Sequence, residues 1–152
     1  MWTRRQTIRR AAALFAPPAL RAASPSIVVP FQYAAERGSI LIHARINKKP
    51  ALLVVDTGSS HTIVRPALLD INPAAISRAS ASAGVIGDAI GQEVSLELGG
   101  DVWSRRRVSV MDLTAVLAAY KEPIDGLLGL DFLFEFSQAI LNLKERKVTF
   151  VR

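Results

Sequence analysis

Leu53-Val54-Val55-Asp56-Thr57-Gly58-Ser59-Ser60 decides how the rest of this chain is read. An apolar, β-branched run ends in one carboxylate, and a tight Thr-Gly turn follows at once. A carboxylate leaving a buried strand is costly unless it is hydrogen-bonded or shares a proton, so Asp56 is the first candidate for chemistry. The plainer role for such a residue is a turn carboxylate accepting backbone N–H groups. Three residues alone recur by chance in many chains, so the flanking sequence has to carry the weight.

Immediately upstream, residues 39–46 alternate. Ile40, Ile42, Ala44 and Ile46 face one way, and Leu41, His43 and Arg45 the other. Asn47-Lys48-Lys49-Pro50 is a polar turn, so 39–46 and 51–55 are expected to form a hairpin that delivers Asp56 at its far end. Ile27-Val28-Val29 and Phe31 suggest an earlier strand. Downstream, 61–64 is β-prone and Pro66 opens a short helix or turn reaching Asp70. Residues 72–92 are rich in Ala, Ser and Gly, which favours a loop or mobile hairpin over a core element. Val94, Leu96 and Leu98 alternate ahead of a Gly99-Gly100 turn, and Val102 and 108–110 give a further strand pair. Residues 114–120 suit a helical turn. Residues 131–136 suit a helix whose apolar side is Leu130, Phe132, Leu133 and Phe136. Residues 140–143 and 148–151 flank a Lys-Glu-Arg-Lys turn and close the chain as a hairpin. The sum is seven to nine short strands with one clear helix near the C-terminus, a mostly-β domain of barrel type.

Composition narrows the chemistry. A chain of 152 residues, half of them apolar, suits one well-buried domain. There is no cysteine, hence no disulfide, thiolate metal site or cysteine nucleophile. Two histidines, His43 and His61, make a multi-histidine metal centre a poor expectation. No metal or other cofactor is expected. The net charge of +6 invites a nucleic-acid partner, but its placement argues against one. Residues 1–23 hold Arg4, Arg5, Arg9, Arg10 and Arg21 and no acid, and without them 14 positive charges face 13 negative ones. Arg105-Arg106-Arg107 remains, and a three-residue run reads as a solvated face. Nucleic-acid binding is rejected as the main role.

The N-terminus reads as an address. A basic start, Thr3-Arg4-Arg5-Gln6-Thr7-Ile8-Arg9, precedes a short apolar run from Ala11 to Leu20 and a small-residue exit, Ala22-Ala23-Ser24-Pro25. Paired Arg4-Arg5, with a basic residue following Ile8, resembles a twin-arginine export signal. Thr3 stands where Ser is usual, and Thr7 where a large apolar residue is usual. Residues 1–25 are therefore expected to be an export signal and linker, and residues 26–152 the functional domain, acting in the periplasm or outside the cell. No stretch reaches the eighteen or so apolar residues that span a bilayer, so no stable membrane span is expected.

About seventy residues after Asp56 comes Asp125-Gly126-Leu127-Leu128-Gly129-Leu130-Asp131-Phe132-Leu133. The two motifs together, with the hairpin over 44–50 leading into the first, resemble the retropepsin-like family of aspartic proteases, particularly small bacterial members. The resemblance covers residues 26–152 and implies a single-domain, closed acid-protease barrel with one short C-terminal helix. It implies that Asp56 is the catalytic carboxylate, and that Thr57 locks the active-site loop to its counterpart through its hydroxyl. It further implies that Gly58 permits close backbone approach, and that Ser59 supports the outer oxygen of the carboxylate. Leu127, Leu128 and Gly129 would be threaded behind the loop. Gly84, Gly87 and Gly91 would mark a flap over the substrate. Leu130 stands where the family often carries Arg.

Such proteases need two carboxyls about 3 Å apart sharing one proton, because both cannot ionise together. This chain has one Asp-Thr-Gly, and Asp125-Gly126 lacks the intervening Thr or Ser, so Asp125 reads as structural. The expectation is an aspartic endopeptidase acting on peptide or protein substrates as a two-fold homodimer, one Asp56 from each copy. Strands 26–31 and 147–151 are the expected interface elements. The rival is a catalytically inactive retropepsin-fold module that binds a peptide or partner. His61 is expected to be a partly exposed strand residue, His43 a solvated one, Trp103 a residue packed on a neighbouring loop, and Asp131 an anchor for the helix.

Overall fold

The computed structural model describes residues 25–72, 76 and 90–152. The expected export signal and most of the expected flap, including Gly84 and Gly87, lie outside these residues. Nine strands are described: β1 (Ser26–Ala34), β2 (Ser39–Ile46), β3 (Lys49–Val55), β4 (Ile63–Val64), β5 (Ile90–Leu98), β6 (Asp101–Val110), β7 (Gly126–Leu128), β8 (Gln138–Asn142) and β9 (Lys147–Val151). Two single-turn helices, α1 (Thr114–Leu117) and α2 (Leu130–Leu133), and a 3-10 turn over Pro66–Leu69 complete the described elements. The expected C-terminal helix is thus four residues long and has a second short helix for company. No described helix is long and apolar enough to cross a membrane.

The sheet order β3-β7-β4-β6-β5-β2 closes on itself because β2 also pairs with β3, giving a closed six-strand barrel. Along one edge, β2 meets β1 at Ser39–Ile42 and β5 at Arg45 and Ile46. From that junction the sheet continues outward as β1, β9 and β8.

Each strand follows from its residue pattern. In β2, Ile42, Ala44 and Ile46 enter the main core while His43 and Arg45 are exposed, as the alternation requires. Leu41 departs from a simple inside-and-outside pattern. It is buried on the opposite face, in a second cluster with Leu52, Val54, Ile63, Met111 and Leu127. β3 is apolar at successive positions because both its faces are covered: Ala51 and Leu53 face one core, Leu52 and Val54 the other. The β2–β3 turn is tighter than expected. Asn47 and Lys48 alone form it, with φ of 49° and 67°, and Lys49 and Pro50 already belong to β3. Two residues in the left-handed region match the twist of the flanking strands.

Two expectations are corrected here. Residues 102 and 108–110 lie on one ten-residue strand, β6, paired along β5 with a register shift between Val94 and Leu96. The strands expected at the interface, 26–31 and 147–151, are occupied within the chain. β1 pairs β9 from Ser26↔Val151 to Pro30↔Lys147, and the far side of β9 is taken by β8. Among the described residues, the sheet ends at β8.

Candidate active site

Asp56 leaves the C-terminal end of β3, where β7 runs parallel alongside: Val54 is opposite Leu127 and Val55 opposite Leu128. On its other side β7 is antiparallel to β4, with Ile63 opposite Leu127. Leu127, Leu128 and Gly129 therefore pass behind the Asp56 loop, held between the strand that enters it and the strand that leaves it. The Asp56 N–H donates to the Leu128 carbonyl at 3.0 Å. From the other end of the loop, the Leu130 and Asp131 N–H groups donate to the carbonyls of Ser59 (2.8 Å) and Ser60 (3.2 Å). The loop is pinned at both ends to one short segment.

That threading is possible only because two residues have no side chain. A Cβ on Gly126 would lie 2.2 Å from the Ile63 carbonyl oxygen, and one on Gly129 would lie 2.3 Å from that of His61. Both obstacles are backbone, which cannot swing aside. Gly58, for which the same need was expected, is less constrained: a Cβ there would meet Asp56 Oδ1 at 3.1 Å and no backbone atom.

The Asp56 side chain is half-buried. Its Oδ1 accepts the Gly58 N–H at 2.8 Å, and no described residue bonds Oδ2. Thr57 is exposed, and its hydroxyl bonds no described residue of its own chain. Ser59 was expected to support the carboxylate, but its hydroxyl points the other way and donates to the His61 carbonyl at 2.7 Å. Its role within the chain is to tighten the turn. Gly91 lies in β5 opposite Ser109, beside the Arg107 guanidinium and not in a flap tip.

Asp125 is 8% exposed and structural in its contacts: Oδ2 accepts the Leu52 N–H at 2.9 Å, and Oδ1 pairs with Arg65 at 2.5 Å. It fastens the entrance of β7 to β3. Asp131 binds across the fold more than along its own helix. Its Oδ1 accepts both the N–H (2.8 Å) and the hydroxyl (2.7 Å) of Thr62, and the Thr62 hydroxyl oxygen in turn accepts the Gly129 N–H at 3.3 Å.

Arg106 is the residue the sequence hid. Expected on a solvated face, it is only 14% exposed and pairs with Asp131 at 3.6 Å and with Glu135. Arg105 and Arg107 are exposed as expected. A run of three arginines along a strand must alternate, so the middle one points to the opposite face. That alternation was the available signal. Trp103 donates to Glu135 at 2.8 Å and stacks edge-on against Phe132, with centroids 4.9 Å apart. Phe136 and Phe150 extend the aromatic cluster, which seats α2 behind the loop. His61 is exposed, and His43 is exposed and bonded to Gln32 at 2.9 Å.

A cleft of about 440 Å³ opens beside the carboxylate, lined by Ile40, Val55, Asp56, Thr57, Ala139 and Leu141 among others. At its rim the Ser39 and Tyr120 hydroxyls are hydrogen-bonded at 2.8 Å. Nearby, the Glu36 carboxyl is held below the ordinary glutamate range by hydrogen bonds from its own N–H and that of Lys121, and then by the Lys121 charge.

Among solved structures, the chain is similar to a retropepsin-like aspartic protease from Rickettsia conorii, with a TM-score of 0.55 and 18% identity, covering 83% of this chain and 89% of that one. It is also similar to a protein named edgp, with a TM-score of 0.54 and 16% identity, covering 85% of this chain and 46% of that one. At these identities the likeness is one of fold. A search of curated proteins gave no significant match. The aspartyl protease family model matches residues 42–132, more than half of the chain. That span takes in the Asp56 loop, the β7 segment behind it and Asp131, and the chain belongs to the aspartyl protease family.

Proposed function

We propose that the protein is an aspartic endopeptidase whose active site is completed by a second copy of the chain, each copy contributing Asp56. The observation that carries this is the Asp56 carboxylate itself. It sits at a strand end in a loop fixed on both sides, with one oxygen tied to Gly58 and the other unbonded by any described residue. In a pair of such carboxyls about 3 Å apart, one proton is shared. The ionised member takes a proton from a bound water, whose oxygen attacks the peptide carbonyl carbon, while the protonated member gives its proton to the carbonyl oxygen. Collapse of the tetrahedral intermediate breaks the C–N bond as the nitrogen gains a proton from the dyad. One water is consumed, and an acid and an amine are released. The two groups titrate as a unit.

Thr57, exposed and with a hydroxyl that bonds no described residue of its own chain, is assigned to the contact between the two loops. Gly58 and Ser59 shape the turn, and Leu127, Leu128 and Gly129 hold it from behind. Residues around Gly84 and Gly87 are assigned to closure over the substrate on their position in the sequence. The twin-arginine-like pattern over residues 1–25 supports export to the periplasm or beyond, with 26–152 as the working domain and peptides or proteins as substrate.

The test is cleavage of a peptide library by the wild type and by Asp56→Asn. Loss of cleavage in a folded Asp56→Asn dimer is the expected result, and cleavage that survives the substitution refutes the assignment. The rival function, an inactive peptide-binding module, draws on the single Asp-Thr-Gly in the chain. A dimeric wild type that binds peptides without cutting any from pH 3 to 7 would establish it.

A further inference from the structure

Tyr120 stands at the rim of the Asp56 cleft, in a segment with no part in the chemistry proposed above. Residues 111–125 join β6 to β7, and their apolar side is anchored. Leu113 and Ile124 are buried in the second core cluster, with Leu117 and Tyr120 packed against it. Asp112 accepts the Thr114 N–H (2.9 Å) and hydroxyl (2.5 Å), which starts α1, and the Tyr120 N–H closes the following turn on the Leu117 carbonyl at 3.0 Å. The β1–β2 turn holds the same residue from the other side. The Arg37 guanidinium lies over the Tyr120 ring, 5.9 Å from its centroid, and Glu36 accepts the N–H of the neighbouring Lys121 at 3.1 Å. Core packing, a cation and a clamped backbone give the phenol one orientation, as a group that positions a ligand requires.

The hydrogen bonds around the phenol set its polarity. Ser39 Oγ lies 2.8 Å from the Tyr120 hydroxyl oxygen and 3.4 Å from the Arg37 carbonyl oxygen. A carbonyl can only accept, so the single Ser39 proton goes to Arg37 and the shorter bond is donated by Tyr120. The more acidic phenol is also the better donor of the two hydroxyls. With its proton committed to Ser39, the Tyr120 oxygen keeps acceptor capacity that no described residue fills. Ser39 and Tyr120 line the cleft together with Asp56 and Thr57, so that capacity faces the space beside the carboxylate. A peptide lying extended there brings backbone N–H groups that lose water on binding and need acceptors. Every residue except proline carries such a donor, so the contact reads backbone register and not side-chain identity.

We propose that Tyr120 is a substrate-positioning residue: its phenol oxygen accepts one backbone N–H of the bound peptide, fixes the peptide's register on Asp56 and bars proline from that one position. It rests on the cleft beside Asp56 taking a peptide, as the proposed function requires. The chain has two tyrosines, Tyr33 and Tyr120, so labelling the ring carbon that bears the hydroxyl gives two NMR signals, which Tyr33→Phe assigns. The probe is an octapeptide selected from the library by binding to full-length Asp56→Asn, with analogues in which one amide N–H at a time is replaced by an ester oxygen. The parent peptide should shift the Tyr120 signal. One analogue should leave that signal unshifted and bind about 5-fold more weakly, the scale of one hydrogen bond. With Tyr120→Phe added, the parent should lose the same factor and that analogue nothing further. Ser39→Ala removes the link between the two hydroxyls and keeps the phenol, so the coupling to that N–H should persist. In the active chain, Tyr120→Phe should raise KM about 5-fold with kcat within about two-fold, because the bond is made in the ground state and kept. Additive effects of the ester and of Tyr120→Phe would overturn the proposal, as would a bound peptide that leaves the Tyr120 signal in place; either makes the tyrosine a staple between two segments. Circular dichroism checks the fold. If Tyr120→Phe fails to fold, the ester series on labelled Asp56→Asn decides: loss of the shift at one position supports the contact, and equal shifts for all analogues overturn it. Failure of the protease function reads differently. A peptide that couples to Tyr120 through one N–H and is never cut by the wild type leaves the contact standing, cleavage by Tyr120→Phe with an unchanged KM removes the contact alone, and a chain that binds no peptide removes both.

Discussion

Gly129→Ala isolates the packing that holds the active-site loop. Gly129 has φ −91° and ψ −178°, extended backbone that alanine adopts freely, so the substitution adds no conformational strain of its own. What it adds is a methyl group 2.3 Å from the His61 carbonyl oxygen, 2.4 Å from its carbon and 2.9 Å from the Thr62 nitrogen. To bring the first contact beyond 3.0 Å, β7 and the His61–Thr62 backbone must separate by at least 0.7 Å. The hydrogen bonds that cross this seam are Gly129 N–H to Thr62 (3.3 Å), Leu130 N–H to Ser59 (2.8 Å) and Asp131 N–H to Ser60 (3.2 Å). At that separation the longer two are lost. Overpacking costs about 1–3 kcal/mol and each lost bond about 1 kcal/mol, for a total of about 3–5 kcal/mol. In thermal unfolding this is a midpoint lowered by roughly 10–20 °C. Gly91→Ala is the control, because the atoms nearest its added methyl are the movable end of Arg107, and it should cost under about 1 kcal/mol. A Gly129→Ala variant within about 1 kcal/mol of the wild type would refute the close-threading account, since that is the scale of an ordinary surface change.

Asp125→Asn keeps an acceptor for the Leu52 N–H but drops the charge opposite Arg65, so stability should fall by about 1–2 kcal/mol with kcat for peptide cleavage within about two-fold of wild type. A kcat lower by about 100-fold in a normally stable variant would instead make Asp125 part of the chemistry. Arg106→Met leaves Asp131 and Glu135 without their shared cation and should cost about 1–3 kcal/mol in urea unfolding. Arg106→Lys should recover only part of this, because one ammonium cannot serve two carboxylates as a planar fork does; full recovery by lysine would show that charge alone matters.

Much of the architecture was legible in the chain. The β2–β3 hairpin, the Val94-Leu96-Leu98 face, the Gly99-Gly100 turn and the C-terminal hairpin all announce themselves locally, through period-two alternation and turn residues. The family-level pairing of the Asp56 loop with Leu127-Leu128-Gly129 was legible as motif. The partners that fix these segments were not. Leu41 looked like the outward face of β2 because alternation records that two faces differ, without recording whether something covers the second. Arg106 looked solvated because its anionic partners lie 25 and 29 residues further along.

The sequence by itself determined the strand pattern, the lone Asp-Thr-Gly and the absence of cysteine chemistry, since each depends on residue identity and near neighbours. Tertiary structure decided which edge of the sheet stays open. Strands 26–31 and 147–151 seemed available because they stand at the two ends of the described domain, yet they pair with one another and leave the edge to β8. Edge status is a property of the whole pairing order, and no strand carries it in its own residues. The glycines teach the same lesson from the other side. Gly126 and Gly129 matter because the Ile63 and His61 carbonyls, more than sixty residues earlier, arrive within 2.2 and 2.3 Å of where a side chain would begin.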